Sequence, residues 1–135
     1  MISELSSPVV KVWDEIIALP LIGSIDTRRA TMITENLLES IVQHQASSVI
    51  IDITGVAVID TQVANYLISA AQACRLLGSQ VALVGMSSEI AQTMVQLGID
   101  TGSLVTRADL QAGIAWAFQQ QGVVVQKEHT RIAGA

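Results

Sequence analysis

The chain has 135 residues, half of them apolar, with 12 acidic and 7 basic side chains and a net charge of −5. That length suits one domain with a sizeable core, and the acidic balance argues against a nucleic-acid or anionic-membrane surface, both of which need clustered Lys and Arg. Only 14% of the residues are charged, against roughly 25% in ordinary domains, so apolar patches of the kind that mark protein contacts are expected on the surface.

Residues 1–8 are polar, end at Pro8 and are expected to fray. They carry neither the basic stretch nor the long apolar core of a secretory signal, and no later run approaches the roughly 18–20 residues of a membrane span. Both features suit a cytoplasmic protein. Alternating Val, Lys and Trp over residues 9–13 predicts a strand, and Asp14-Glu15 a turn. Ile16–Ile22 reads as a second strand, with Pro20 implying an edge position or a bulge, because proline cannot donate to a ladder. Asp26 or Thr27 caps a helix over residues 27–45. Its buried stripe is Ala30, Ile33, Leu37, Ile41 and His44, widened by Met32, Leu38 and Val42.

The central stretch is residues 47–78. Val49-Ile50-Ile51 begins a buried strand, Asp52, Ile53 and Thr54 follow, and Gly55 turns the chain. A short apolar run over residues 56–59 stops at Asp60-Thr61, where a helix begins and continues to Gly78, with Val63, Leu67, Ala70, Ala71, Cys74 and Leu77 on its core face. Cys74 is the single cysteine, so no intrachain disulfide forms, and its place on the apolar face predicts a buried structural thiol. Gln80–Val84 is a further strand. Ser87 or Ser88 caps a short helix with Ile90, Met94 and Leu97 inward, closed by Gly98. Residues 104–106 form a short strand. A last helix covers residues 107–119, with Leu110, Ile114, Ala117 and Phe118 inward and Gly113 weakening it by roughly 1 kcal/mol relative to Ala. Val123-Val124-Val125 stands alone in a polar tail that is expected to be loosely ordered, with a further edge strand or a partner contact as the alternatives. The order ββαβαβαβα implies right-handed parallel crossovers and an α/β domain.

Few residues form an enzyme constellation. His44 and His129 have no Cys or second His at metal-ligand spacing, and neither a G-x-G-x-x-G nor a P-loop pattern occurs, so no metal or nucleotide cofactor is expected. Asp52, at the end of a central parallel strand, occupies the position of a receiver-domain phospho-acceptor. That chemistry needs further acids at the end of the first strand, where Trp13-Asp14-Glu15 is a poor match. Asp52 is therefore expected to accept hydrogen bonds from nearby backbone N–H groups. Asp60 and Thr61 support two readings. Asp60 caps the helix and Thr61 merely follows it, or Thr61 is a phosphorylation site at a helix N-terminus, whose dipole favours a phosphate while Asp60 opposes it. Thr93 is expected to bond back to the preceding turn or face solvent. Gln62, Gln92 and Gln96 give an uncharged polar surface suited to a protein interface.

The run Val58-Ile59-Asp60-Thr61-Gln62-Val63-Ala64 resembles the STAS family, whose members include anti-sigma-factor antagonists. In that family the phospho-acceptor is a Ser or Thr just after an Asp, at the start of the helix following the central strand. Ile51-Asp52-Ile53-Thr54-Gly55-Val56, residues 73–78 and residues 89–98 are similar to the STAS domains of RsbR-type stressosome scaffolds, and the likeness spans residues 9–118. It implies a STAS fold over residues 9–119, a mixed, mostly parallel sheet of about five strands with about four helices, flanked by the 1–8 segment and a 120–135 tail. It also implies a non-catalytic, phosphorylation-switched interaction module in bacterial stress signalling. Such a module sequesters an RsbT-like serine/threonine kinase until that kinase phosphorylates Thr61 from ATP, and release of the kinase activates a downstream phosphatase or cyclase. Thr93 would be a second regulatory threonine, Asp60 would position and tune Thr61, and Asp52 and Gly55 would shape the loop. A single-domain RsbS-like partner, a homodimer and larger shells complete the implied partners. RsbR-type scaffolds carry an N-terminal sensory domain, and here Met1 leads straight into a strand, so the expectation is an isolated output domain or a short paralogue acting as a core subunit. Two other functions stay open: a receiver-like phosphoryl acceptor using Asp52, and a STAS module that binds a small ligand or nucleotide without a kinase.

Overall fold

A computed structural model describes residues 9–98 and 104–122. The 1–8 segment, Val123-Val124-Val125 and His129 lie outside the described residues. One sheet runs in the spatial order β1 (Val10–Trp13), β2 (Ile16–Ile22), β3 (Ser48–Gly55), β4 (Gln80–Val84) and β5 (Val105–Arg107). β1 pairs antiparallel with β2, and every later pair is parallel. The helices are α1 (Thr27–His44), α2 (Thr61–Leu76), α3 (Ser88–Gln96) and α4 (Leu110–Gln120). This is the mixed, mostly parallel α/β arrangement that the sequence implies.

Side chains alternate across the strands and fill two cores. Ile17, Leu19, Leu21, Val49, Ile51, Ile53, Val81 and Leu83 face α1, α2 and α3. Ile16, Ala18, Ile50, Ala82 and Val84 face α4, where Trp116 and Ala117 meet them. Because both faces are covered, β3 reads as a continuous apolar run rather than an alternating one. Cys74 is fully buried in the first core, and burial pushes its thiol up from 9.0 to about 11, so it is protonated at neutral pH.

Several local expectations need correction. Of the two alternatives for Pro20, the edge position fails, since β2 is second in the sheet, and the bulge holds, since the register of β2 on β3 shifts between Pro20 and Ile22. β1 pairs no further than Val10 with Ala18, leaving Pro20 beyond the last β1 partner, where its missing N–H breaks no ladder bond to that strand. Val42 and Leu77, expected inward, are 68% and 50% exposed and line an open groove between α1 and α2 instead of the core. α4 starts at Leu110, capped by the Asp109 side chain, which accepts from Ala112 N at 2.9 Å. Its buried residues are Gly113, Trp116 and Ala117, while Leu110, Ile114 and Phe118 pack at the margin.

Gly113 has a structural reason that helix propensity misses. A Cβ there would lie 2.8 Å from Val84 Cγ1 and 3.0 Å from Ile50 Cγ2, so α4 approaches the sheet too closely for any side chain. Gly113→Ala therefore destabilises the protein, by about 1–3 kcal/mol from overpacking, where propensity alone predicts a gain of roughly 1 kcal/mol. Urea unfolding monitored by circular dichroism decides the sign.

Candidate functional site

Parallel strands place the N-termini of α1, α2 and α3 at one edge of the sheet, the carboxyl edge where open α/β folds present their sites. Each start is capped by the residue before it. Asp26 accepts from Arg29 N at 2.8 Å, Asp60 from Val63 N at 2.8 Å, and Ser87 from Ile90 N at 3.1 Å. Thr61 is the first residue of α2 and is exposed. It stands among the first-turn N–H groups that have no acceptor within the helix, at the positive end of the dipole.

The loop leading to Thr61 is anchored at both ends. Val56 and Ile59 are buried in the core, while Val58 between them is 62% exposed. Gly55 begins the loop under tight constraint. A Cβ there would lie 3.1 Å from Leu21 O and 3.2 Å from Ile22 Cγ1, and its carbonyl accepts from Gly23 N at 3.1 Å. Ile22, at the end of β2, is 69% exposed. Arg29 holds the β2–α1 connection by donating from Nη1 to the carbonyls of Ile22 and Ser24, each at 2.7 Å. Two exposed aliphatic side chains thus stand at the same sheet edge as Thr61.

Asp52 does what its place in the sequence suggests. Its Oδ1 accepts from Thr54 N at 2.9 Å and from Thr54 Oγ1 at 2.6 Å, closing an Asx turn at the end of β3. Gly85, with φ +77°, lies against that turn, and a Cβ there would come within 2.8 Å of Thr54 N. Only glycine fits the position both by conformation and by space. Among the described residues, no three His, Cys, Asp or Glu side chains gather where they could hold a metal ion. The geometry makes Asp52 a turn former. Thr93 lies on α3, half-buried, and donates to Glu89 O at 3.0 Å, the back-bond expected of a mid-helix threonine.

Asp52, Gly55, Asp60 and Thr61 therefore meet at one edge, and Thr93 sits on the neighbouring helix. Ser87 is the residue whose role sequence reasoning missed. It was legible as a cap, but its hydroxyl also donates to Ala57 O at 2.7 Å, across 30 residues of chain. A separate feature lies at the far end of α2. Leu38, Glu39, Val42, Ala73, Leu76 and Leu77 line an open apolar groove of about 660 Å³ between α1 and α2, with Leu76 88% exposed.

The family model described as "STAS domain" matches residues 7–111. The chain belongs to the STAS domain family. The STAS domain described here is similar to RsbT co-antagonist protein RsbRA of Bacillus subtilis, 48% identical over 118 residues, which cover 87% of this chain and 43% of that protein. The chain thus spans about two-fifths of the length of the curated RsbR-type relatives it matches. A solved structure of a serine-to-glutamate variant of RsbS from Moorella thermoacetica superposes with a TM-score of 0.76 at 26% identity, covering 87% of this chain and 98% of that one. A chain from the molecular architecture of the stressosome, "a signal integration and transduction hub", gives 0.72 at 26% identity, covering 84% and 98%. The RsbR-type likeness seen in the sequence is thus shown. Among the described residues of this STAS domain, no helix is long and apolar enough to cross a membrane.

The cap and the charge of Asp60 are separable. Asp60→Ala removes the acceptor for Val63 N and lowers stability by about 1 kcal/mol, whereas Asp60→Asn keeps a good cap and stays within about 0.5 kcal/mol of wild type. Thermal unfolding of the two variants side by side makes the test.

Proposed function

We propose that residues 9–119 form a non-catalytic STAS module whose docking of a serine/threonine kinase is switched by phosphorylation of Thr61. The observation that carries this reading is the placement of Thr61. It is exposed, it opens α2 directly after the capping Asp60, and it shares a sheet edge with the exposed aliphatic side chains of Ile22 and Val58. An unphosphorylated edge of this kind offers apolar contact and uncharged polar groups to a partner. In the modifying step Thr61 Oγ1 attacks the γ-phosphorus of ATP, ADP departs, and the hydroxyl proton passes to a base of the kinase. The product adds about −1.5 to −2 charges next to the Asp60 carboxylate. In the free module the first-turn N–H groups and the dipole offset part of that repulsion. In a complex the phosphate would be desolvated beside a carboxylate, which is far less favourable and drives release.

The RsbT co-antagonist relatives and the stressosome neighbour support an RsbT-type kinase, an RsbS-type single-domain partner and a larger assembly; the same reading includes homodimers and a place in the cytoplasm. In this reading Thr93 is a second, regulatory acceptor. Its back-bond to Glu89 must break for the hydroxyl to react, so it is modified more slowly than Thr61.

Incubation with an RsbT-type kinase and ATP, followed by phosphopeptide mapping, tests the proposal. Wild type gains phosphate at Thr61 and Thr61→Ala does not. Phosphorylated protein loses co-elution with the kinase, and Thr61→Glu binds it at least about tenfold more weakly, a difference of 1.4 kcal/mol. Phosphate absent from Thr61, with the same kinase active on an RsbS-type substrate, refutes the switch.

A second reading has its own observation, the α1–α2 groove. If the module answers to an apolar ligand rather than to a kinase, medium-chain fatty acids raise the melting temperature by mass action, and Leu76→Gln abolishes the shift.

A further inference from the structure

The loop that presents Thr61 is held from the outside by one hydroxyl. Ser87 precedes α3 in an extended conformation (φ −73°, ψ 163°), and its Oγ accepts from Ile90 N at 3.1 Å while donating to Ala57 O at 2.7 Å. The first bond caps α3. The second crosses to the β3–α2 loop, next to Val58 and three residues before Asp60. A hydroxyl has one proton to give and lone pairs to accept with, so a single side chain serves both bonds. The β4–α3 turn that carries Ser87 is itself seated, since Gly85 lies against the Asp52–Thr54 turn.

Within the loop, Val56 N donates to Ile53 O at 3.0 Å and Ala64 N to Asp60 O at 3.0 Å, bonds that hold the two ends. Ala57 and Val58, the exposed middle, are tied to the rest of the fold through Ser87. We infer that Ser87 is a positioning residue that fixes the Thr61 loop in its docking shape by clamping Ala57 to the start of α3. This deepens the kinase-switch reading and rests on it for the phosphorylation part, while the clamp itself is a property of the free protein.

Capping and clamping can be pulled apart. Ser87→Asp keeps an acceptor for Ile90 N but has no proton for Ala57 O. Ser87→Thr keeps both. Hydrogen exchange on the free 135-residue chain reads the clamp without any kinase. Ser87→Asp speeds exchange in the 56–61 peptide by about three- to tenfold, the effect of one lost hydrogen bond on local opening. The melting temperature falls by only a few degrees, as one lost native bond requires, exchange in α3 rises no more than that global loss explains, and Ser87→Thr matches wild type throughout. With an RsbT-type kinase and ATP, Ser87→Asp raises the KM for Thr61 phosphorylation by a similar factor at unchanged kcat, because loop ordering is then supplied on docking.

Unchanged exchange in the 56–61 peptide of Ser87→Asp overturns the clamp. Faster exchange with unchanged KM overturns the positioning role. Faster exchange spread equally over α3 makes Ser87 a cap only and also overturns it. If wild-type Thr61 takes no phosphate, the kinase-switch reading and the positioning role fail together, and the exchange data alone decide whether the clamp exists.

Discussion

β3 is the constraint on which the rest of this domain depends. It is hydrogen-bonded along both edges, to β2 and to β4, and buried on both faces, by α1–α3 on one side and α4 on the other. A strand in that position cannot slip by one residue without moving its inward set to the wrong core. Its register therefore fixes where the chain leaves the sheet, and with it where the loop to α2 begins. Gly55 has its own part in that exit, since a side chain there would crowd Leu21 O and Ile22, which would have to give way.

The polar work of the domain is concentrated at the edge where β3 ends. Three helix N-termini point to it, each with a side-chain cap, and the loops between are tied to one another rather than left to water. Asp52 serves this scaffold. A carboxylate at the tip of a central parallel strand suggests chemistry, yet both of its hydrogen bonds go to Thr54, with Gly85 seated against them. Thr61 is exposed beside a loop whose Val56 and Ile59 are buried in the core.

The two ends of α2 contrast. Its N-terminus carries Asp60 and Thr61 among polar and aliphatic groups at the sheet edge. Its C-terminus leaves Leu76 and Leu77 exposed beside Val42 of α1. The low charged fraction of the sequence signals such patches in advance. It does not say that they gather between two helices.

Much of this was legible in the sequence because the signals are local. The strand boundaries of Ile16–Ile22 and Gln80–Val84, the start of α2 at Thr61 and the stripe Ala30, Ile33, Leu37 and Ile41 follow from periodicity and capping. Each depends on residues within a few positions of one another. The run around Asp60-Thr61 also carried the family, which the STAS match bears out. Tertiary structure alone decided the rest. Pro20 could sit inside the sheet because β1 stops short of it, and Gly113 is needed because α4 lies hard against Ile50 and Val84. Val42 and Leu77 stayed outside the core, in the groove between α1 and α2, and Ser87 reached Ala57 because two loops far apart in sequence end at the same edge. Periodicity gives the direction in which a side chain points. What it meets there depends on partners that only the folded chain brings into contact.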